Sequence, residues 1–345
     1  MALNAPRGAA VDTAGNVYVA DSRGGRIVVF SSEGQFVRDF STRIDPDPTV
    51  PAGPGMFSEP WGVAVATDGT VYVADTWYHR ILVFNADGTF RKQWGFYEQA
   101  TPGVPSSPFG FYGPRDIKLD AQSNVYVADT GNKRVRVYDK DGNFLRDIGA
   151  TAVIGNMKEP VGIAIDNERG EIYIASTWSK KIEVYSLTGE TRREWVLRAW
   201  NATTEQTDSG NRPFLALDKT GRFLFVTDPD VARILVYDSA TGTPVLQFGR
   251  LGAAPFTSNQ FGVLGGIALD PTTGKLLLTD AGGGRVLRFD PAVLPGLSAA
   301  SIPTVATAVP ITESPATAEA QIGAIGGDAR AYDGSHARRD RVNLS

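Results

Sequence analysis

Short runs of β-branched and aromatic residues, each broken by a turn, recur along most of the chain. In Val71–Phe84, VYVADTWYHRILVF, a first arm alternates large and small residues up to Asp75. Four turn residues follow, Thr76 to His79, and Arg80 opens a second arm, ILVF. The pattern predicts a β-hairpin with Asp75 and Arg80 facing each other across its mouth. A lone hairpin is marginal in water, so it needs neighbours.

The neighbours are copies. The Asp–x4–Arg pair recurs as Asp21/Arg26, Asp75/Arg80, Asp129/Arg134, Asp228/Arg233 and Asp280/Arg285, with Ser176/Lys181 as a sixth version. An aromatic stands at a fixed distance after each: Phe30, Phe84, Tyr138, Tyr185, Tyr237 and Phe289. Upstream of each pair lies another short strand, such as PWGVAVA at 60–66 or PVGIAID at 160–166, ending in a Gly or Asn turn. A second such turn and a further strand follow each aromatic, except in the last copy. Each unit therefore reads as four antiparallel strands, a to d, repeated every 47 to 54 residues. That period and strand count predict an all-β fold, a six-bladed β-propeller. The small residues of strand a (Gly8, Ala10, Gly62, Ala64, Gly162, Ala164) suit the crowded innermost position.

The pattern P-x-G-x-A-x-D, then V-Y-V-A-D-T, then R-[IV]-x-V-[FY], resembles the NHL-repeat propellers over residues 6 to about 290. Ala66 replaces the aspartate that ends strand a, blade 4 carries Ser176/Lys181, and blades 5 and 6 lack the leading proline. The reading divides the chain into a propeller, 1–291, and an Ala/Thr/Pro/Ser-rich tail, 292–345, expected to be disordered. Blade 6 shows no obvious strand d. Its closure is expected from the segment around Ile302–Val309 or from packing against blade 1.

Composition narrows the chemistry. No cysteine is present, which excludes disulfides and thiolate sites. The formal charge of −4 gives no basic footprint for a dedicated nucleic-acid binder. No apolar run is long enough for a membrane helix. No signal peptide is visible, so the default compartment is cytoplasmic, or exported if the chain is part of a longer product.

The b–c turns and the long d–a loops are expected on one face, and both are aromatic-rich. Long loops on a rigid scaffold are where binding usually resides. Arg7, Trp61, Trp77, Tyr78, His79, Arg115 and Trp178 are the candidate ligand-binding face, for a protein, a peptide or a carbohydrate polymer. The loop aromatics read equally as lids over blade seams. The Asp/Arg pairs recur too often to be catalytic; they read as hairpin fixtures, with small, distributed stability losses expected on mutation. No cofactor is expected. The enzymatic alternative is a metal-assisted hydrolase or lactonase in which Glu59, Asp116 and Glu159 hold calcium or another divalent cation near one rim. Six-bladed lactonases place a metal at that depth of the axial channel. Asp116 reads otherwise as a partner of Arg115 or Lys118. The resemblance also implies an RNA-binding rival, since some NHL propellers bind RNA on a basic face.

Overall fold

The computed structural model describes residues 2–41, 53–101, 104–151, 154–155, 157–197, 212–252, 254, 259–294, 297 and 323–325. Six four-stranded antiparallel sheets follow one another, each in the order a–b–c–d. Strand a runs over Pro6–Val11, Pro60–Val65, Pro114–Leu119, Pro160–Asp166, Leu215–Leu217 and Leu264–Leu269 in blades 1 to 6. Strands b and c form the anticipated hairpins, with Asp75 opposite Arg80 and Asp129 opposite Arg134 in register. The VYVAD strands are buried throughout. Strand d, such as Phe90–Trp94, alternates towards solvent. The gradient from buried to solvated follows the radius of the propeller.

The core is divided among the seams between blades. One seam joins Tyr18, Ile27 and Val29 of blade 1 to Val63, Val73 and Leu82 of blade 2. The seam between blades 6 and 1 sets Val17, Val19 and Phe30 against Leu277 and Val286. Apolar plugs enter the seams three residues before strand a: Leu3, Phe57, Phe111, Met157 and Phe261 are all buried. Backbones of adjacent a strands approach so closely that a Cβ on Gly62 would lie 2.9 Å from the Arg115 carbonyl oxygen. Hydroxyls bridge the same gap. Thr76 Oγ1 donates to the Pro114 carbonyl at 2.8 Å, and Thr130 Oγ1 to that of Pro160 at 2.7 Å. Ser22 bonds to Pro60 in the same way, and Thr279 of blade 6 bonds to Arg7 of blade 1.

Blade 6 does have a fourth strand. Gly323–Ile325 pairs antiparallel with Val286–Arg288. The sequence expectation for this strand, Ile302–Val309, lies outside the described residues, as does most of the tail at 292–345. Within that stretch Leu294 and Leu297 are buried against blades 5 and 6. No helix among the described residues is long and apolar enough to cross a membrane.

Candidate functional site

The b–c turns sit beside the starts of the a strands. Thr76 N–H donates to the Glu59 carbonyl at 3.2 Å, Gly131 N–H to Tyr112 at 2.8 Å and Trp178 N–H to Lys158 at 3.0 Å. The Asp/Arg pairs lock this arrangement. Asp75 Oδ2 accepts from Arg80 Nε at 3.1 Å, while Oδ1 accepts the N–H groups of Ser58 and Glu59. Arg80 then donates to the Met56 carbonyl at 2.7 Å and to Gln93 Oε1 on strand d at 3.0 Å. Asp129 is bound likewise by Arg134 Nε and Tyr112 N–H. In blades 2 and 3 the pair thus ties one hairpin, the preceding d–a loop and strand d together. Burial raises the carboxyls of Asp21, Asp75, Asp129 and Asp280 above their ordinary value, against the pull of arginine and backbone donors. In blade 4 the pair is absent, and Lys181 turns outward to Glu194.

The last residue of each b–c turn is left-handed: Gly25 (φ 63°), His79 (53°), Lys133 (61°), Lys180 (52°), Ala232 (53°) and Gly284 (60°). Only glycine adopts this freely, so the turn geometry is imposed by the framework and not by the turn residues. What varies is what each turn displays.

The seven residues proposed for the binding face separate into two groups. Trp77, Tyr78 and Trp178 are exposed, by 40, 42 and 63%. Trp77 Nε1 donates to Glu59 Oε2 at 2.7 Å, and the Arg80 guanidinium lies 4.9 Å from the Tyr78 ring. The other four are more withdrawn. Trp61 is buried, with the Arg7 and Arg115 guanidinium carbons 4.1 and 4.9 Å from its ring. Arg115 pairs with Glu159 at 3.2 Å. Arg212, on the next blade, lies 3.8 Å from the same carboxylate. A chain of stacked and paired side chains therefore runs from blade to neighbouring blade, from blade 1 to blade 5.

His79 lies half-buried against Tyr97 (4.9 Å between rings) and Tyr112 (6.0 Å). Its Nδ1 accepts from the Gly113 N–H at 3.0 Å. Burial pushes the imidazole down to about 4. The unfolded chain takes up that proton near pH 6.5. The site's contribution to stability is therefore complete above pH 6.5 and is lost as the pH falls through about 4. Thermal midpoints of the protein and of His79→Asn, which tolerates the left-handed turn, should converge or cross as the pH drops from 7 to 4. A constant difference between them would show that His79 stays uncoupled from the fold.

Sequence reasoning left the loop aromatics open between ligand contacts and lids. Phe57, Phe111 and Phe261 are seam plugs, whereas Phe96 (50%), Tyr97 (56%) and Phe109 (37%) are exposed. Phe96–Tyr97 pairs with Gly110–Phe111 in a small parallel ladder, which fixes this loop. Trp200 and Phe256 lie outside the described residues. The fixed offset of the plugs before strand a was a signal available in the sequence.

The three candidate metal ligands stand apart. Glu59 holds Trp77, Glu159 faces Arg115, and Asp116 Oδ1 accepts from Lys118 Nζ at 2.6 Å. Among the described residues no group of three or more His, Asp or Glu side chains is gathered as a metal site.

Comparison with known proteins agrees with this architecture. The NHL repeat model matches residues 3–30 and 57–84, and a model described as 6-bladed beta-propeller matches 112–219. Protein brain tumor of Drosophila melanogaster is 31% identical over 124 residues, which is 33% of this chain and 10% of that protein. B-box type zinc finger protein ncl-1 of Caenorhabditis elegans is 30% identical over 114 residues, 33% of this chain and 12% of the relative. The match thus spans about a tenth of the length of these relatives. Among solved structures, a gluconolactonase from Xanthomonas campestris superposes with a TM-score of 0.55 at 15% identity, covering 81% of this chain and 84% of that one. At that identity the likeness is one of fold. The recurring Asp/Arg hairpins, the six four-stranded blades and the matched repeats together show a six-bladed β-propeller that carries NHL repeats.

Proposed function

We propose that the chain is a non-catalytic binding propeller that engages a protein segment or another extended polymer on the face of the b–c turns and d–a loops. The observation that carries this reading is the display of Trp77, Tyr78 and Trp178 on turns whose backbone is fixed from below. Large aromatics held on rigid supports are the side chains that dominate interface energies. Exposed Phe96 and Tyr97 on the neighbouring loop extend the apolar surface. Blades 2 and 4 both contribute, so an extended partner fits better than a compact one.

The metal-assisted hydrolase or lactonase has less support, because Glu59, Asp116 and Glu159 each meet a donor from the chain itself. RNA binding is disfavoured by the charge of −4.

A peptide library selected on the immobilised protein tests the proposal. Selected peptides should bind Trp77→Ala/Trp178→Ala at least tenfold more weakly, by the roughly 1 kcal/mol or more that an interface aromatic contributes. The thermal midpoint should not move. Undiminished affinity in that variant would refute the turn-aromatic face. Retention of a single-stranded RNA oligonucleotide that falls with salt would favour the RNA reading instead.

A further inference from the structure

The opposite end of the axis carries a cavity of about 440 Å³. Its wall comes from the second halves of the a strands, and its mouth from the a–b turns at Asn167, Glu168, Lys219 and Thr220. The starts of the a strands in blades 1 to 4, Pro6–Arg7, Pro60–Trp61, Pro114–Arg115 and Pro160–Val161, do not line it. The stacked and paired side chains of Arg7, Trp61, Arg115 and Glu159 lie between it and the aromatic face. Its size suits a small molecule.

Two positions of strand a distinguish one side of this pocket. At the lining level the six blades contribute Ala10, Ala64, Lys118, Ala164, Ala216 and Ala268. Two residues earlier they carry Gly8, Gly62, Asp116, Gly162, Phe214 and Gly266. Blade 3 alone departs from small residues at the first level and alone carries a charge at the second. The two departures meet: Lys118 Nζ lies 2.6 Å from Asp116 Oδ1. Asp116 is fully buried. It also accepts the N–H of Ile117 at 2.9 Å and, on its other oxygen, that of Ile163 in blade 4 at 2.8 Å. The carboxylate is thus saturated and fixed, and it fixes the lysine.

Stability does not account for the pair. A buried ion pair is commonly no better than small apolar residues of the same volume, and blades 1, 2, 4 and 6 build the same two positions with glycine and alanine. An ammonium has three donors, and Asp116 takes one of them. The remaining donors belong to a side chain on an inner wall that is otherwise apolar.

We propose that this pocket binds a compact, uncharged, largely apolar molecule carrying a carbonyl or hydroxyl acceptor, with the acceptor received by Lys118. The charge of the ligand follows from the surroundings. Lys118 and Asp116 already balance, so a further charge against the alanine wall would be uncompensated. At the mouth Asp166, Glu168 and Asp218 outnumber Lys219 and oppose anions, and within, Asp116 is already bonded and offers a cation no counter-charge.

Three ten-carbon probes with different head groups test this: 2-decanone, decanoate and decyltrimethylammonium, titrated by calorimetry below their micellar concentrations. The ketone should bind at least tenfold tighter than either ion. Asp116→Gly/Lys118→Ala, which gives blade 3 the residues of blades 1, 2, 4 and 6, should weaken the ketone about tenfold. Trp77→Ala/Trp178→Ala, on the other face, should bind it like the unaltered protein. Preference for an ion, no binding of the ketone, or equal binding by the double variant would each overturn the proposal. The head-group preference is read on the unaltered protein and does not depend on how well the variant folds.

Discussion

Replacing Asp129 with alanine should lower the stability of the propeller by about 3–5 kcal/mol, the range for stripping one partner from a buried ion pair. Asp129 is completely buried, and so nearly is Arg134, whose Nε lies 3.0 Å away. The variant leaves the Tyr112 N–H, the Asn132 amide and the guanidinium facing a void. Asp129→Asn should cost less, since the amide oxygen still accepts and burial already raises the acid. Asp228→Ala offers the comparison: Arg233 is 20% exposed, so water can replace part of what is lost. Urea denaturation of the three variants, read as midpoints, checks the order. A loss below about 1 kcal/mol for Asp129→Ala, the exposed-pair range, would reduce the pair to hairpin trim. The expectation of small, distributed losses thus fails on burial. The sequence shows that a charge pair recurs, but not that its aspartate is buried in every copy.

Gly162→Val should be equally damaging for a different reason. A Cβ at residue 162 would lie 2.5 Å from the Pro213 carbonyl oxygen and 2.7 Å from the Phe214 Cα. Both are backbone atoms of the next blade, just before its strand a, where Phe214 exchanges hydrogen bonds with Thr227. Overpacking that side chains can absorb costs about 1–3 kcal/mol; here no side chain can move aside, so a loss at or beyond the top of that range is expected. The same substitution at Gly170 meets nothing within 4 Å and keeps only the penalty of its φ of 64°. Soluble yield and thermal midpoint distinguish the two. A Gly162→Val protein as stable as Gly170→Val would mean that the a strands can separate.

The repeats made the fold legible. Their period, the Asp/Arg register and the glycines of strand a each follow from local rules that six blades obey together. The fourth strand of blade 6 was not legible, because GAI at 323–325 has neither an aromatic nor a neighbouring turn to mark it. The candidate site was legible only in part. Trp77, Tyr78 and Trp178 could be read as exposed because they sit on short turns. The environment of His79 could not, since Tyr97 and Tyr112 arrive from a loop far along the chain. Asp116 and Lys118 are two residues apart and were readable as a pair. Only the ring of alanines around them reveals that they line a chamber.

The hydroxyl bridge from Thr279 to the Arg7 carbonyl has a consequence for how such a protein can change in length. In an open array of repeats a unit can be lost and the remainder still stacks, provided the ends are capped. Here each blade is flanked on both sides, and the angle between neighbours is set by six-fold closure. Deleting a blade would leave five wedges that no longer meet, with two buried flanks newly wetted. Substitution within a turn is therefore an open route to new specificity for this scaffold, and removal of a whole repeat is a closed one.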